Sequence, residues 1–125
     1  MPEDSAGFHE PLDRLQQSTV DLHRAVVSVV EELQAIDWYS QRVDATTDPE
    51  LRAILAHNGN EEKEHAAMLL EWIRRHDPVF EAHLRNHLFQ DGPIVSPADV
   101  ADSRGGNGAA PRTNGSIGSL KEVQR

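Results

Sequence analysis

The residues Leu12, Leu15, Thr19, Leu22, Val26, Val29, Leu33, Ile36, Ser40 and Val43 recur at alternating steps of three and four. That spacing sets all ten on one stripe of an α-helix. Pro11 suits the first turn, where a missing backbone donor does no harm. A helix from Pro11 to about Asp44 is roughly 50 Å long at 1.5 Å per residue. In a chain of 125 residues, a helix of that length must lay its stripe against something equally long, because tertiary packing and not propensity holds such helices together.

The partner follows directly. Thr46-Thr47-Asp48-Pro49-Glu50 offers a turn, an N-cap oxygen, a proline for a first turn and acids suited to the positive end of the helix dipole. The second seam reads Leu51, Leu55, Asn58, Glu62, His65, Leu69, Trp72 and His76 and stops at Asp77, because Pro78 disfavours helix in the residue before it. A short third helix spans Pro78 to Phe89, with Val79, Phe80, Leu84, Leu88 and Phe89 as its apolar residues. The fold class expected is all-α, an antiparallel two-helix hairpin plus a short third helix, which completes a four-helix bundle only on dimerisation. The domain reading is a flexible lead over 1–10, a helical domain over 11–92 and a disordered tail over 93–125. Six of the eight glycines fall after residue 90, and Arg104 to Ser119 holds one sizeable apolar residue, Ile117. Such a segment buries too little to offset the entropy of ordering it.

The second seam is interrupted by polar residues. Glu62 and His65 stand where the pattern asks for Leu or Val and point the same way as Leu55 and Leu69. On the first helix Glu32 borders the apolar stripe in register with Ala25, Ile36, Tyr39 and Val43. All three side chains are therefore expected to be buried. An isolated buried carboxylate neutralises or costs several kcal/mol, so two glutamates and a histidine converging on a dry seam imply a bound cation. Glu-x-x-His places a carboxylate and an imidazole on adjacent turns of one face, and di-iron carboxylate bundles use that pair twice, with one further Glu from each of two other helices. This chain supplies half of such a set. A two-fold dimer doubles three ligands to six and covers both apolar stripes in the same step.

Composition limits the other possibilities. The chain carries 12 Lys+Arg against 21 Asp+Glu, a formal charge of -9, which repels nucleic acid and attracts cations. The imbalance lies in residues 1–90, with 17 acidic and 8 basic side chains. With no cysteine there is neither a disulfide nor a thiolate site, and oxygen and nitrogen donors favour Fe, Mn, Mg or Ca. No apolar run approaches the ~20 residues of a bilayer span, and Met1 to Glu10 has no apolar core of a signal peptide, so a cytoplasmic protein with no membrane partner is expected. His57, Glu61 and Glu64 form another face of the second helix, a hydrated surface or a weak transit site for cations. His9, His23, His83 and His87 read as surface or packing residues, and Trp38 and Trp72 as core or interface anchors. From the residues alone two other classes stay open: a non-catalytic helical oligomerisation module, with Glu62 and His65 paired to each other or to water, and another di-metal enzyme such as a manganese catalase.

The runs Glu31-Glu32-Leu33, Asp37-Trp38-Tyr39, Ile54-Leu55-Ala56-His57-Asn58, Glu61-Glu62-Lys63-Glu64-His65-Ala66 and Leu70-Glu71-Trp72-Ile73-Arg74-Arg75 closely resemble the encapsulated ferritins, from about His9 to Pro93 without gaps. The resemblance implies a ferroxidase: two-helix protomers with a short third helix, assembled as an open decameric ring of dimers, which oxidise Fe(II) with dioxygen at a di-iron centre shared between two chains. It implies Glu32, Glu62 and His65 as the iron ligands, Glu62 bridging, with Tyr39 close by. It implies His57, Glu61 and Glu64 as a secondary site for calcium or another divalent cation, and Glu31 as part of the approach to the ferroxidase centre. An open ring has no mineral cavity, so the implied partner is an encapsulin shell, with the protein housed in that cytoplasmic nanocompartment for iron storage.

Two departures stand out. Gln34 replaces a glutamate of the family's approach site, removing one charge. Gly59 interrupts the second helix just before the ligands, where an ordinary helix former is better by about 1 kcal/mol. In the tail, residues 116–121 resemble the peptide that docks such ferritins inside the shell, with Ile117 and Leu120 as apolar anchors spaced by Gly118 and Ser119. Gly115 stands where that peptide often has an upstream leucine.

Overall fold

The structure, a computed structural model, describes residues 7–99. All regular elements among them are helical: a 3-10 turn at Leu12–Arg14, then α1 (Gln17–Ala45), α2 (Pro49–His76) and α3 (Pro78–His87). Two long helices and a short third are what the periodicity calls for.

The first helix nevertheless starts later than its apolar stripe. Leu15 and Gln16 are extended, with ψ of 142° and 153°, and separate the 3-10 turn from α1. Leu12 is exposed and the turn buries nothing, so no packing offsets the cost of winding these residues into the long helix. Phe8 instead lies against α1, its ring stacked on His23 at 4.0 Å between centroids.

The link to α2 is built as its residue types demand. Asp48 Oδ2 accepts the Leu51 N–H at 2.8 Å, capping α2 ahead of Pro49. Thr46 Oγ1 donates to the Arg42 carbonyl at 2.6 Å, and Arg52 Nε reaches back to the Val43 carbonyl at 3.1 Å. The helices run antiparallel: Val43 lies by Arg52, Tyr39 by Gly59, Glu32 by His65, and Ala25 and Val29 by Ile73. Ala25, Val29 and Ile73 form the buried core, with Leu22, Leu69 and Trp72 against it. Small residues, Ala25, Gly59 and Ala66, are among those buried, which lets the two backbones approach closely.

One chain leaves much of its apolar surface open. Ile54 and Met68, on the side of α2 that carries His65, are 51% and 57% exposed. Val26, Val30 and Leu33, spaced by four and three along α1, are exposed as well.

Among the described residues, those over 74–99 belong to a second compact unit. There Asp77 Oδ1 accepts the Phe80 N–H at 3.0 Å and caps α3, while Glu81 Oε2 receives both Arg74 (3.0 Å) and Arg85 (2.8 Å). α3 ends at His87, two residues before the expected Phe89, because Phe89 takes a left-handed φ of 60°. Ser96 Oγ accepts the Asp99 N–H at 3.1 Å and caps a helical turn over 97–99.

Candidate metal centre

Glu32 comes from the middle of α1, Glu62 and His65 from adjacent turns of α2. His65 Nδ1 lies 3.2 Å from Glu62 Oε1 and 3.6 Å from Glu32 Oε1. One ligand atom from each residue falls within 4.8 Å of the other two, and among the described residues no other three acidic or histidine side chains converge in this way.

Their burial differs from the sequence expectation. The Glu32 and Glu62 side chains keep 24% and 23% of their exposure and His65 keeps 43%, so the group lies at the edge of the seam. The hairpin covers the three side chains only in part, and Ile54 and Met68 on the same side of α2 are exposed.

The three groups titrate as a unit. A hydrogen bond with Glu62, helped by partial desolvation and the Glu62 charge, raises the Glu32 carboxyl above its ordinary value against the opposing pull of His65. The same hydrogen bond, together with His65, lowers Glu62. His65 is raised, first by its hydrogen bond to Glu62 and then by the negative charge of both carboxylates, against desolvation. Glu62 therefore ionises first, Glu32 holds its proton longer, and His65 stays cationic above its ordinary range. Protons occupy the place suited to a cation. Two carboxylates and an imidazole match ions that accept oxygen and nitrogen donors, and three protein donors leave such an ion with open positions.

Gly59 acquires a physical reason. It is buried one turn before Glu62, and a Cβ there would meet Tyr39 Cβ at 3.1 Å, so its bare Cα permits the close helix approach beside Glu62. The sequence signal was only an unexplained glycine in a helix. Tyr39 is half-buried at this contact, with the Arg42 guanidinium 5.3 Å from its ring centre; their three-residue spacing on a helix was the legible sign of that pair.

The other residues singled out from sequence are more dispersed. His57 Nε2 and Glu61 Oε2 approach to 3.8 Å with both side chains exposed, while Glu31 and Glu64 are exposed. Ile117, Gly118, Ser119 and Leu120 lie outside the described residues. Among those that are described, no helix is long and apolar enough to cross a membrane.

Comparison with known proteins adds to this geometry. The EncFtn-like family matches residues 7–91. An encapsulated ferritin-like protein of Rhodospirillum rubrum is 57% identical over 97% of this chain and 92% of its own length. The encapsulin nanocompartment cargo protein EncC of Myxococcus xanthus is 36% identical over 83% of this chain and 82% of its own. The crystal structure of protein ne0167 from Nitrosomonas europaea is similar with a TM-score of 0.69 and 58% identity, covering 72% of this chain and 99% of that one.

Proposed function

The chain belongs to the EncFtn-like family, the encapsulated ferritins, and from that membership we propose that it oxidises Fe(II) to Fe(III) at a di-iron site shared between two protomers. The observation that carries this reading is the convergence of Glu32, Glu62 and His65 in a group that one chain leaves half-open. A two-fold axis beside His65 doubles it to four carboxylates and two imidazoles, the donor set of ferritin-like di-metal bundles. The same axis covers Ile54 and Met68 and turns the hairpin into a four-helix bundle.

Iron is the substrate. Two Fe(II) ions each give one electron to dioxygen, and the carboxylates favour the harder Fe(III) product while imidazole accommodates Fe(II). Ion binding requires deprotonated donors, and His65, whose protonated form both carboxylates favour, gives up its proton to the ion, so uptake releases acid. Tyr39, against Gly59, holds the helix spacing that sets Glu32 opposite the α2 ligands. The exposed Val26, Val30 and Leu33 stripe gives dimers a further face for assembly into a decameric ring. Fe(III) then passes to an encapsulin shell in the cytoplasm, a partner supported by the cargo role named for the Myxococcus xanthus relative; residues 116–121 are the proposed docking peptide. Glu31 and the His57, Glu61 and Glu64 face are proposed as weaker stations for iron, calcium or another divalent cation on the way in.

The test is Fe(II) oxidation by the full chain and its Glu32→Ala, Glu62→Ala and His65→Ala variants, with native mass spectrometry of the anaerobic Fe(II) complex. Each variant is expected to lose roughly a hundredfold or more in rate, and the parent dimer to carry about two irons. Parent-like rates in all three variants overturn the assignment. Peroxide disproportionation without Fe(II) oxidation identifies a catalase instead.

A further inference from the structure

His83 and His87 stand four residues apart on α3, whose last residue is His87. Both are exposed, and among the described residues neither has a hydrogen bond or ion pair. Two residues at this spacing lie one above the other on a helix, about 5–6 Å apart at Cβ. It is the spacing by which helical His-x-x-x-His pairs chelate one metal ion. His87 also lies in the final turn of α3, where the negative end of the helix dipole favours a cation. The acidic side chain of the preceding turn, Glu81, is already engaged by Arg74 and Arg85, so imidazole is the donor on offer.

We propose that His83 and His87 form a second metal site, separate from the carboxylate-rich group of the hairpin, for a borderline divalent transition ion. Two neutral imidazoles bind Cu(II), Ni(II) or Zn(II), with water completing the coordination, and Cu(II) is held most tightly by the general order of divalent affinities. The site differs in kind from Glu32, Glu62 and His65: it has no carboxylate and is assembled within one short helix. The chain thus carries a binding position for metals other than the iron it oxidises, through chemistry the glutamate-rich centre does not select.

The experiment is Cu(II) titration of the full chain followed by electron paramagnetic resonance, repeated for the His83→Gln and His87→Gln variants. The parent is expected to show one copper per chain coupled to two imidazole nitrogens. Each variant is expected to bind that copper at least about tenfold more weakly, since loss of one donor forfeits the chelate's effective concentration, and to lose the two-nitrogen pattern. Because both residues are exposed, helix content and Fe(II) oxidation stay at the parent level. As a second measurement, native mass spectrometry with Zn(II) is expected to find one ion fewer per chain in the double variant. A two-imidazole copper signal that survives both substitutions, a parent signal with one imidazole or none, or an unchanged zinc count overturns the proposal.

Discussion

Replacing Ile54 tests whether the open side of the hairpin is the face that completes the metal centre. Ile54 lies on the same side of α2 as His65, about three helical turns before it, and is 51% exposed in the single chain. Complete burial of an isoleucine stabilises by about 1.5–3 kcal/mol, so the half still exposed holds about 1 kcal/mol for a partner to gain. A two-fold axis counts that twice, giving about 2 kcal/mol per dimer, or roughly a thirtyfold weaker dissociation constant for Ile54→Ala. Ile54→Glu adds an unpaired carboxylate at the interface at a cost of several kcal/mol, which takes the loss to about a thousandfold or more. Within one chain the same change costs about 1 kcal/mol, the share of the side chain already covered there.

The assay is sedimentation across a protein dilution series, with circular dichroism for helix content and Fe(II) oxidation measured per chain. Ile54→Glu is expected to keep its helices, to stay monomeric where the parent is dimeric, and to lose oxidation although Glu32, Glu62 and His65 are intact. A monomeric variant that oxidises iron at the parent rate per chain refutes the shared centre. An unweakened dimer refutes the placement of the axis.

Other expectations concern the scaffold and its titration. Asp48→Ala removes the acceptor for the Leu51 N–H and is expected to lower stability by about 1 kcal/mol in urea unfolding. Gly59→Ala gains about 0.5–1 kcal/mol of helix preference but forces Tyr39 Cβ away from a 3.1 Å approach; the net change in unfolding free energy is expected to stay within about 1 kcal/mol, since a small shift of two helices absorbs it. A larger loss would mean that the helix spacing is rigid. For the metal-free chain, the raised His65 adds stability fully present below its ordinary value and lost as pH rises through the folded value. The lowered Glu62 adds stability present above its ordinary value and lost as pH falls through the folded one. Melting temperature of the metal-free His65→Ala variant is expected to fall below the parent most at mildly acid pH and to converge with it in alkali.

How far the sequence carried these conclusions depended on which interactions were local. Asp48 announces the start of α2 because a capping oxygen acts on a backbone donor three residues away, whereas Asp77, legible only as the end of the second helix, also caps α3. The Glu62 and His65 pair was legible as an interruption of an apolar seam, and Glu32 as its match on the other helix, because helical periodicity converts spacing into direction. Burial was less legible. Periodicity says that Leu12, Val26, Leu33 and Leu51 lie on apolar stripes, but not whether the covering surface belongs to the same chain. All four are exposed here, and Leu12 lies in a turn that the pattern assigns to a continuous helix. Gly59 could not be read at all from its own helix, since its reason is Tyr39 on the other one.

A centre divided between two chains ties assembly to metal through charge. On the proposed reading, bringing two hairpins together without metal sets four carboxylates around one axis, and the proton that the carboxylates help His65 to hold offsets part of that repulsion. As pH rises through the raised His65 value that offset is lost, so the empty dimer becomes less favourable while the imidazoles become better donors. An ion that binds the dimer and not the monomer at 100 times its dissociation constant adds about 2.7 kcal/mol, a hundredfold in dimer affinity. That gain is expected to be larger at about pH 8 than at about pH 6, where His65 keeps its proton and competes with the ion. Dimer dissociation constants measured with and without Mn(II), which dioxygen does not readily oxidise there, decide the matter. An equal gain at both pH values separates metal binding from the His65 proton, and no gain at either means that the dimer forms by apolar contact alone.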